Sequence, residues 1–494
     1  MRGFKMKTVI DWFLKSVNDY PHRIFLQEQD KEISYYDFWL LMQKKITYIN
    51  DYCKPFQPIA ILMDKSIELV SWMLAIAYCG SCYCVLDSRQ GQNRLSKMIN
   101  QLQANCILCS KEYLSLISEY KPICVEEINY PKEREIMPRA YSNAPLYINF
   151  TSGSTGQPKG VAVSHRSVVD FIPVFCQQFN FQKDDCFANQ APLDFDVSVK
   201  DIYSAMYLGA RVVLIPREYF SNPMQLMDLL CDKQVTILVW AVSALCFVSI
   251  MNGLKYRLPN KIRAILFSGE VMPMKHLQKW MTYLPHAMYV NLYGPTEITC
   301  NCTYEIINAT TDLNHLSIGK AFANEWVFLL DDNDQLVNQA KQVGEICVSG
   351  DCLALGYWHN AEKTAQSFPL NPLVSGIPIR MYRTGDLAYY DEKGCLFFQG
   401  RKDFQIKHLG HRIELGEIEA MMQEIKGCER ACVVYDQKRS RIEAYFEGTI
   451  GKEALTHELK DKIPSYMMPN HIHQLEHLPL TKNGKIDRQL LKGE

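Results

Sequence analysis

The sequence lacks the features of a membrane or secreted protein. No run of about 18 apolar residues, the length of a membrane-spanning helix, occurs in the chain. The start, Met1 to Lys7, is basic, but Asp11 and Lys15 follow it closely, so the apolar core of a signal peptide is missing. Internal repeats and low-complexity segments are absent as well. We therefore expect a cytoplasmic protein without membrane insertion.

A net charge is also nearly absent. Lys plus Arg number 53 against 54 Asp plus Glu, so no overall field draws this chain toward nucleic acid. The 18 cysteines are scattered through apolar stretches, which predicts reduced, buried thiols and no disulfide framework. Cys106 with Cys109, and Cys300 with Cys302, lack the further ligands that a zinc site needs. We assign no metal to them.

Length and pattern indicate a large α/β protein. The 494 residues are too many for one compact domain, and 48% of them are hydrophobic, enough for a large core. Runs rich in β-branched residues, such as Pro58 to Met63 and Cys82 to Leu86, alternate with helix-like segments, which is typical of parallel sheets covered by helices. The end has its own α+β pattern, beginning with a predicted helix over Ile413 to Ile425. We predict an N-terminal core over residues 1–399, a hinge at 400–404 and a small mobile domain over 405–494.

The densest group of small polar residues runs from Thr151 to Gly160, with the sequence Thr-Ser-Gly-Ser-Thr-Gly-Gln-Pro-Lys-Gly. Its hydroxyls and backbone amides can surround phosphate oxygens, and Lys159 supplies a cation. The P-loop pattern of the common NTPases is missing, because Lys159 follows Pro158 and precedes Gly160. We predict a phosphate-binding loop of another kind.

Two further segments carry nucleotide chemistry. In Asn291-Leu-Tyr-Gly-Pro-Thr-Glu297, a tyrosine can offer its ring to a purine, and the hydroxyl and carboxylate that follow can meet phosphate and Mg²⁺. In Tyr382-Arg-Thr-Gly-Asp386, the aspartate can accept both hydroxyls of a ribose. Each segment alone would be an ordinary turn. Their occurrence together makes the nucleotide interpretation specific.

With Gly344 to Gly350, Gly400 to Lys407 and Asn483 to Arg488, these segments carry a family resemblance. The chain resembles the adenylate-forming superfamily of acyl-CoA synthetases, firefly luciferases and nonribosomal peptide synthetase adenylation domains. The motifs keep the family order from Ile33 to Arg488, almost the whole chain. The resemblance implies the adenylate-forming fold, ATP and Mg²⁺ as cofactors, and a ligase that forms an acyl-adenylate and then a thioester.

The resemblance also implies roles for individual residues. Tyr293 would stack on adenine, Asp386 would bind ribose, and Glu297 would hold Mg²⁺. Lys485 would bridge the substrate carboxylate and the α-phosphate, and Thr296 would contact the α-phosphate. The resemblance thus implies that Lys485, Thr296 and Glu297 are the catalytic residues. The implied nucleotide-binding residues are Thr151, Ser152, Gly153, Ser154, Thr155, Gly156, Lys159, Asn291, Tyr293, Gly294, Pro295, Thr296, Asp386, Phe398, Arg401 and Lys485.

Within the superfamily the chain resembles the branch that activates amino acids. Phe195-Asp-Val-Ser-Val199 matches the segment whose aspartate, here Asp196, receives the substrate ammonium. The implied substrate-binding residues are Phe195, Asp196, Val197, Lys200, Val239, Leu266, Ser268, Leu292, Cys300 and Asn301. They favour a small substrate, and the partial pattern is similar to pockets that select serine. Lys200 departs from it, and either points to solvent or recognises an acidic side chain.

D-alanine:carrier-protein ligases are the competing relatives. Asp403 to Leu415 and Tyr466 to Pro469 look like them, although Ser268 stands where those enzymes tend to carry a cysteine. Fatty-acid activation or non-enzymatic nucleotide sensing is favoured less, because Asp196, Glu297 and Lys485 are all present.

The resemblance further implies a two-step cycle. The small domain would rotate at the hinge residue Asp403, bringing Lys485 inward for adenylation and Gly410 inward for thiol transfer. His408 and His411 flank Gly410, and we interpret both as surface or packing residues. No carrier domain follows Arg488, so we expect the thiol to come from a separate phosphopantetheinylated carrier protein or from CoA, and the enzyme to be a monomer.

Overall fold

The computed structural model describes residues 7–153, 157–308, 311–313, 315–437, 439–480 and 486–492. Two large sheets form the centre of the N-terminal core. In spatial order, the strands of the first are Gly356–Tyr357, Lys159–Ser164, Pro145–Thr151, Cys82–Leu86, Pro58–Leu62, Ile107–Cys109 and Ile123–Cys124. The strands of the second are Lys320–Ala321, Thr303–Ile307, Met288–Tyr293, Ala264–Ser268, Ile237–Ala241, Cys186–Asn189, Arg211–Leu214, Ile24–Glu28 and Lys31–Ser34.

Both sheets are parallel at their centres. The second is antiparallel at both edges, whereas the first is antiparallel at the edge that ends in Gly356–Tyr357 and parallel at the edge that ends in Ile123–Cys124. The central strands are covered on both faces, which explains why Pro58–Leu62, Cys82–Leu86 and Ala264–Ser268 are continuous buried runs. A smaller antiparallel sheet follows. Its strands are Leu336–Val337, Trp326–Leu330, Val343–Ser349, Tyr382–Tyr390 and Leu396–Arg401.

Helices cover and separate these sheets. The helix Ile67–Tyr78 contacts strands of both large sheets and buries every residue except Glu68, so nearly all of its surface faces the core. The α-helices of the core are Val9–Asp19, Tyr35–Ile49, Ile67–Tyr78, Gln92–Leu102, His165–Gln178, Val197–Leu208, Pro223–Asp232, Val242–Ile250, Gly253–Tyr256, Met274–Tyr283 and Ala361–Ser367. Short 3-10 turns lie at Ser88–Gln90, Lys111–Leu116, Ser118–Tyr120, Val125–Glu127, Arg217–Ser221, Thr296–Ile298 and, near the C-terminus, Ser465–Met467.

The C-terminal residues form a smaller α+β unit with its own hydrophobic core. A hairpin, Gln405–His408 with His411–Glu414, leads into the helix Leu415–Gln423. A three-stranded sheet follows, with strands Cys428–Asp436, Arg441–Gly448 and His471–Gln474 and helices Lys452–Lys460 and Arg488–Lys492. The α/β class is confirmed, while the division at 400–404 stays a prediction. The predicted helix start at Ile413 is wrong, because that residue pairs with Ile406 in the hairpin.

Among the described residues, none of the helices combines the length and hydrophobicity needed to cross a bilayer. Nor do these residues bring together three or more His, Cys, Asp or Glu side chains in a way that would hold a metal ion.

Glu325 is a buried carboxyl group outside the candidate site. Its Oε2 accepts a hydrogen bond from the Cys352 thiol, and its Oε1 has no partner among the described residues. Burial raises the pKa of Glu325 to about 8 from its ordinary value of 4.5. The folded state therefore favours the neutral carboxyl group, and this stabilisation is fully present below pH 4.5 and lost as the pH rises through about 8.

Glu325→Gln is expected to raise the melting temperature relative to the wild type, by more at pH 8 than at pH 5. The neutral amide escapes the cost of ionisation, which grows by up to about 1.4 kcal/mol per pH unit in this window. Thermal melts between pH 5 and pH 8 measure the difference. Asp351→Asn, at a nearby carboxylate that is solvent-exposed, should show no such trend. A stabilisation independent of pH would contradict the assignment.

Candidate active site

A cavity lies between the core and the C-terminal hairpin, and much of the predicted site surrounds it. The predicted residues that line it are Thr151, Ser152, Phe195, Asp196, Val197, Ser268, Gly294, Pro295, Thr296, Cys300, Asp386 and Arg401. The predicted residues that do not line it are Gly153, Lys159, Lys200, Val239, Leu266, Asn291, Leu292, Tyr293, Glu297, Asn301, Phe398 and Asp403. Ser154, Thr155, Gly156 and Lys485 lie outside the described residues.

The phosphate-loop segment joins two antiparallel strands. Thr151 pairs with Lys159 across them, and the Thr151 hydroxyl donates to the Lys159 carbonyl at 3.4 Å. A Cβ atom on Gly153 would stand 2.0 Å from the Gln157 carbonyl oxygen, so the turn requires glycine there. Lys159 is buried, and burial together with the nearby Arg412 lowers its pKa. The strand pair therefore places the Lys159 cation and Gly153 next to Thr151 and Ser152, which line the cavity.

The C-terminal unit closes directly on this loop. Ser152 donates to the Arg412 carbonyl at 2.7 Å, and the Gly153 amide donates to the Glu417 carboxylate at 3.3 Å. Lys159 Nζ lies 3.5 Å from Glu414 Oε1. A carbonyl and two carboxylates of the C-terminal unit thus contact the donors that the sequence assigns to phosphate.

Glu297, the predicted Mg²⁺ ligand, is fully buried. Its Oε1 accepts a hydrogen bond from the Tyr357 hydroxyl at 2.8 Å, and its Oε2 lies 2.7 Å from Arg412 Nη1. Burial opposes its ionisation, but Arg412, Lys159 and Tyr357 outweigh that effect and lower its pKa to about 2. An ionised carboxylate beside the phosphate loop fits a Mg²⁺ ion that takes its other ligands from water and substrate phosphates.

The predicted nucleotide end is held by a polar network. The Tyr293 hydroxyl donates to Asp386 Oδ2, and Arg401 Nη1 contacts Asp386 Oδ1. Arg401 also pairs with Asp403 at 2.6 Å, which ties the cavity to the predicted hinge residue. Lys407 Nζ lies 5.3 Å from the centre of the Tyr293 ring, within cation–π range. A cation of the C-terminal unit therefore covers the ring that the sequence assigns to adenine.

The predicted amino-acid end lies at the start of helix Val197–Leu208. Thr296 hydrogen-bonds the Asp196 side chain, and the Cys300 thiol donates to the Asp196 carbonyl at 2.9 Å. Burial raises the pKa of Asp196. Cys300 takes a left-handed backbone conformation, with φ of 83°, which costs about 1–2 kcal/mol in a residue other than glycine.

Lys200 lies one helical turn from Asp196 and is fully buried. Its Nζ donates to Asn301 Oδ1 at 2.6 Å, and burial lowers its pKa although the nearby Asp196 and Asp201 oppose that effect. The possibility that Lys200 points to solvent is therefore wrong. Val239 pairs with Leu266 on neighbouring strands, and both side chains are fully buried in the core.

Sequence reasoning missed the side chains that the hairpin contributes. Lys407 and Arg412 line the cavity, and the Gly410 amide, predicted to approach the site, donates to Glu270 Oε1 at 2.6 Å. Lys407 ends the motif Gly400 to Lys407, which by sequence indicates a hinge alone. The charged residues Arg412 and Glu414, which follow this motif, could have indicated a role in the site. Their partners, Glu297 and Lys159, lie more than a hundred residues away in the chain, so the sequence alone does not pair them.

The described residues that flank Lys485 lie elsewhere. Leu480 and Ile486 pair with each other, and Ile486 packs on Cys432, Val434 and Leu478 in the C-terminal unit. None of these five described residues lines the cavity. In this arrangement the hairpin faces the site, and the described residues Leu480 and Ile486 do not line it.

Comparison with protein families places both parts of the chain. The sequence matches the family described as AMP-binding enzyme over residues 13–358, and the family described as AMP-binding enzyme C-terminal domain over residues 417–485. Gramicidin S synthase 2 of Brevibacillus brevis is 30% identical over 503 residues, covering 98% of this chain and 11% of that protein. Tyrocidine synthase 2 of Brevibacillus parabrevis is 31% identical over 445 residues, covering 88% and 12%. The chain spans about a tenth of the length of either relative.

Solved structures share the fold. An NRPS protein containing adenylation and PCP domains, in holo form with a vinylsulfonamide inhibitor, matches with a TM-score of 0.87 and 26% identity, covering 98% of this chain and 84% of that one. The Vibrio cholerae adenylation domain AlmE, in complex with glycyl-adenosine-5'-phosphate, matches with a TM-score of 0.84 and 21% identity, covering 100% and 98%. At that identity, the second likeness shows the fold alone.

Proposed function

Because the chain belongs to the AMP-binding enzyme family, within the adenylate-forming superfamily, we propose that it activates a small amino acid as aminoacyl-AMP and passes the aminoacyl group to a thiol. The observation that carries the proposal is the placement of Asp196 in one cavity with Thr296, Asp386 and the first residues of the phosphate loop. An ammonium anchor, a phosphate contact and a ribose contact then lie along one bound adenylate.

In the first step, a carboxylate oxygen of the amino acid attacks the α-phosphorus of ATP, and the bond to pyrophosphate breaks. Asp196 would hold the α-ammonium through a charge-assisted hydrogen bond, and Thr296 would contact the α-phosphate. Glu297 would hold Mg²⁺, which offsets the charge on the phosphates when bound. The chain supplies position and charge, with Lys485 as the cation that bridges the two reacting groups.

The described arrangement supports a second state for thiol transfer. Arg412, Glu414 and Glu417 contact Glu297, Lys159 and the Gly153 amide, so the C-terminal unit and a bound Mg²⁺–triphosphate would compete for the same groups. Lys407 reaches the cavity, while the described flanks of Lys485 pack elsewhere. We therefore propose that adenylation needs a rotation near Asp403 that withdraws the hairpin and brings Lys485 in.

Serine is the substrate we favour, with D-alanine as the runner-up. The family resemblance assigns Val239, Leu266 and Leu292 to the substrate pocket, where large apolar side chains would leave room for a small substrate, and all three are buried. Lys200 has a single described hydrogen bond, to Asn301, so its ammonium retains N–H groups for a side-chain oxygen. The hydroxyl group of a serine substrate could accept a hydrogen bond from Lys200 beside Asn301. Unlike an aspartate substrate, it would not bring a second carboxylate near Asp196.

Lys200→Met should reduce discrimination between serine and alanine by about tenfold, since it removes one hydrogen bond from a charged group to the side-chain hydroxyl. Amino-acid-dependent ATP–pyrophosphate exchange of both substrates, in the wild type and the variant, measures the ratio. Exchange with alanine is the internal control for folding. Wild-type exchange with aspartate that equals or exceeds exchange with serine would contradict the serine assignment and make Lys200 a carboxylate receptor.

A separate phosphopantetheinylated carrier protein is the proposed acceptor, with CoA as the alternative. One similar structure is an NRPS protein that contains adenylation and PCP domains, which supports a carrier thiol. The test is to incubate the enzyme with ATP, amino acid and either a holo carrier protein or CoA, and to weigh the products by mass spectrometry. An aminoacylated carrier with unmodified CoA supports the proposal. Aminoacyl-CoA as the main product overturns the carrier assignment.

A further inference from the structure

His411 stands in the cavity between two aromatic rings. Its imidazole stacks on Tyr466 with the ring centres 3.6 Å apart and the planes at 7°, and it meets Phe195 edge-on at 5.0 Å. Phe195 immediately precedes the proposed ammonium anchor, and His411 follows Gly410, so both segments approach the same space. The two contacts fix the plane and position of the ring.

Both ring nitrogens of His411 lack a hydrogen-bond partner among the described residues. Nδ1 is buried without one, an arrangement that is uncommon for a purely structural histidine. His408, on the other side of Gly410, differs: its Nδ1 lies 3.3 Å from the Tyr435 hydroxyl, and it does not line the cavity. Interpreting both histidines as packing residues therefore accounts for His408 and leaves the nitrogens of His411 unexplained.

The surroundings of His411 favour its neutral form. Burial lowers its pKa to about 4, and the charged or titratable groups facing it are Asp87, Arg89, His408 and Arg94. Other titratable groups around the cavity are Asp194, Asp196, Cys300, Asp386, Arg401, Lys407, Arg412 and Tyr466. A neutral imidazole keeps a lone pair on one nitrogen and can accept a proton.

We propose that His411 is a catalytic residue that accepts the proton of the attacking thiol in the second half-reaction. This rests on the proposed function. The thiol sulfur bonds to the acyl carbon of the aminoacyl-AMP, the bond from that carbon to the phosphate oxygen breaks, and AMP leaves with the electron pair. The S–H proton moves to an imidazole nitrogen of His411 and then to solvent. No oxidant or further reactant is needed.

A weak base suits this step because the thiol becomes far more acidic as its sulfur bonds to carbon. The proton therefore transfers during the attack and not before it. General-base contributions of this kind start at about 100-fold, and the low basicity of His411 places it at that lower end.

The test separates the two half-reactions. Enzyme is loaded with ATP and the amino acid in the presence of pyrophosphatase, and a thiol is then added in a single turnover. His411→Phe keeps an aromatic ring against Tyr466 and should slow transfer to pantetheine by about 100-fold. His408→Phe is the matched control on the other side of Gly410 and should transfer at the wild-type rate. ATP–pyrophosphate exchange confirms that each variant is folded and forms the adenylate.

A second thiol distinguishes proton transfer from positioning. An aryl thiol such as 2-nitro-5-thiobenzoate is already ionised at neutral pH and has no proton to give, so His411→Phe should transfer to it at nearly the wild-type rate. A large defect with pantetheine and a small one with the aryl thiolate supports the proposal. Equal defects with both thiols, or no defect with either, would overturn it. Pyrophosphate exchange of the same variants, measured separately without pyrophosphatase, tests the amino-acid activation independently.

Discussion

Lys485→Ala is expected to lower amino-acid-dependent ATP–pyrophosphate exchange by about 10²- to 10³-fold, because it removes the cation that bridges the attacking carboxylate and the α-phosphate. Transfer of a preformed aminoacyl-AMP to a thiol should be nearly unaffected. In the described arrangement the cavity contains Lys407, and the residues flanking Lys485 pack on the C-terminal sheet. Exchange and single-turnover transfer, measured side by side, give the two effects.

Lys407→Ala is the matched variant from the same C-terminal unit, and its pattern should be the reverse. Exchange should persist while transfer slows, because Lys407 lines the cavity in the described arrangement and the proposed rotation would withdraw it for adenylation. If both variants impaired both half-reactions equally, one arrangement of the C-terminal unit would serve both steps, and the proposed rotation near Asp403 would be wrong.

Asp196→Ala should reduce exchange with the amino acid by more than about 10²-fold. It removes the acceptor of the charge-assisted hydrogen bond to the substrate ammonium and leaves that charge in a partly buried cavity. Asp196→Asn keeps the shape of the side chain and should lose nearly as much, which identifies the charge as the cause. Exchange assays across a range of amino-acid concentrations separate weaker binding from slower chemistry.

A desamino analogue supplies the control for Asp196. 3-Hydroxypropionate has the hydroxyl and carboxylate of serine without the ammonium, so Asp196→Ala should change its exchange little. Retention of wild-type exchange with amino acids in Asp196→Ala would show that the ammonium binds elsewhere, and the assignment to the amino-acid branch would lose its main support.

The fold could be predicted because its signals are local. Continuous apolar runs such as Pro58–Leu62 and Cys82–Leu86 indicate parallel strands buried on both faces, and the structure confirms the α/β class. The error at Ile413 has a physical cause. The segment Ile413 to Ile425 has a helix-like pattern, but its first residues pair with Gln405 and Ile406 across a hairpin, and that pairing outweighs helix propensity.

The site was predictable where a motif carries the chemistry, and less so where distant segments meet. Asp196, Thr296 and Asp386 line one cavity as the motifs imply. The contacts of Arg412 with Glu297 and of Glu414 with Lys159 depend on how two units are oriented, which no local pattern encodes. The burial of Lys200 is a similar case, because its partner Asn301 arrives from a turn a hundred residues later.

The most direct measurement of the central claim is ATP–pyrophosphate exchange with each L-amino acid and with D-alanine. We predict that exchange requires one small amino acid, which we expect to be serine or, failing that, D-alanine. We also predict that this exchange falls in Asp196→Ala and in Lys485→Ala. Exchange with none of the amino acids, together with exchange driven by a fatty or aryl acid, would contradict the account and assign the cavity to another class of carboxylate.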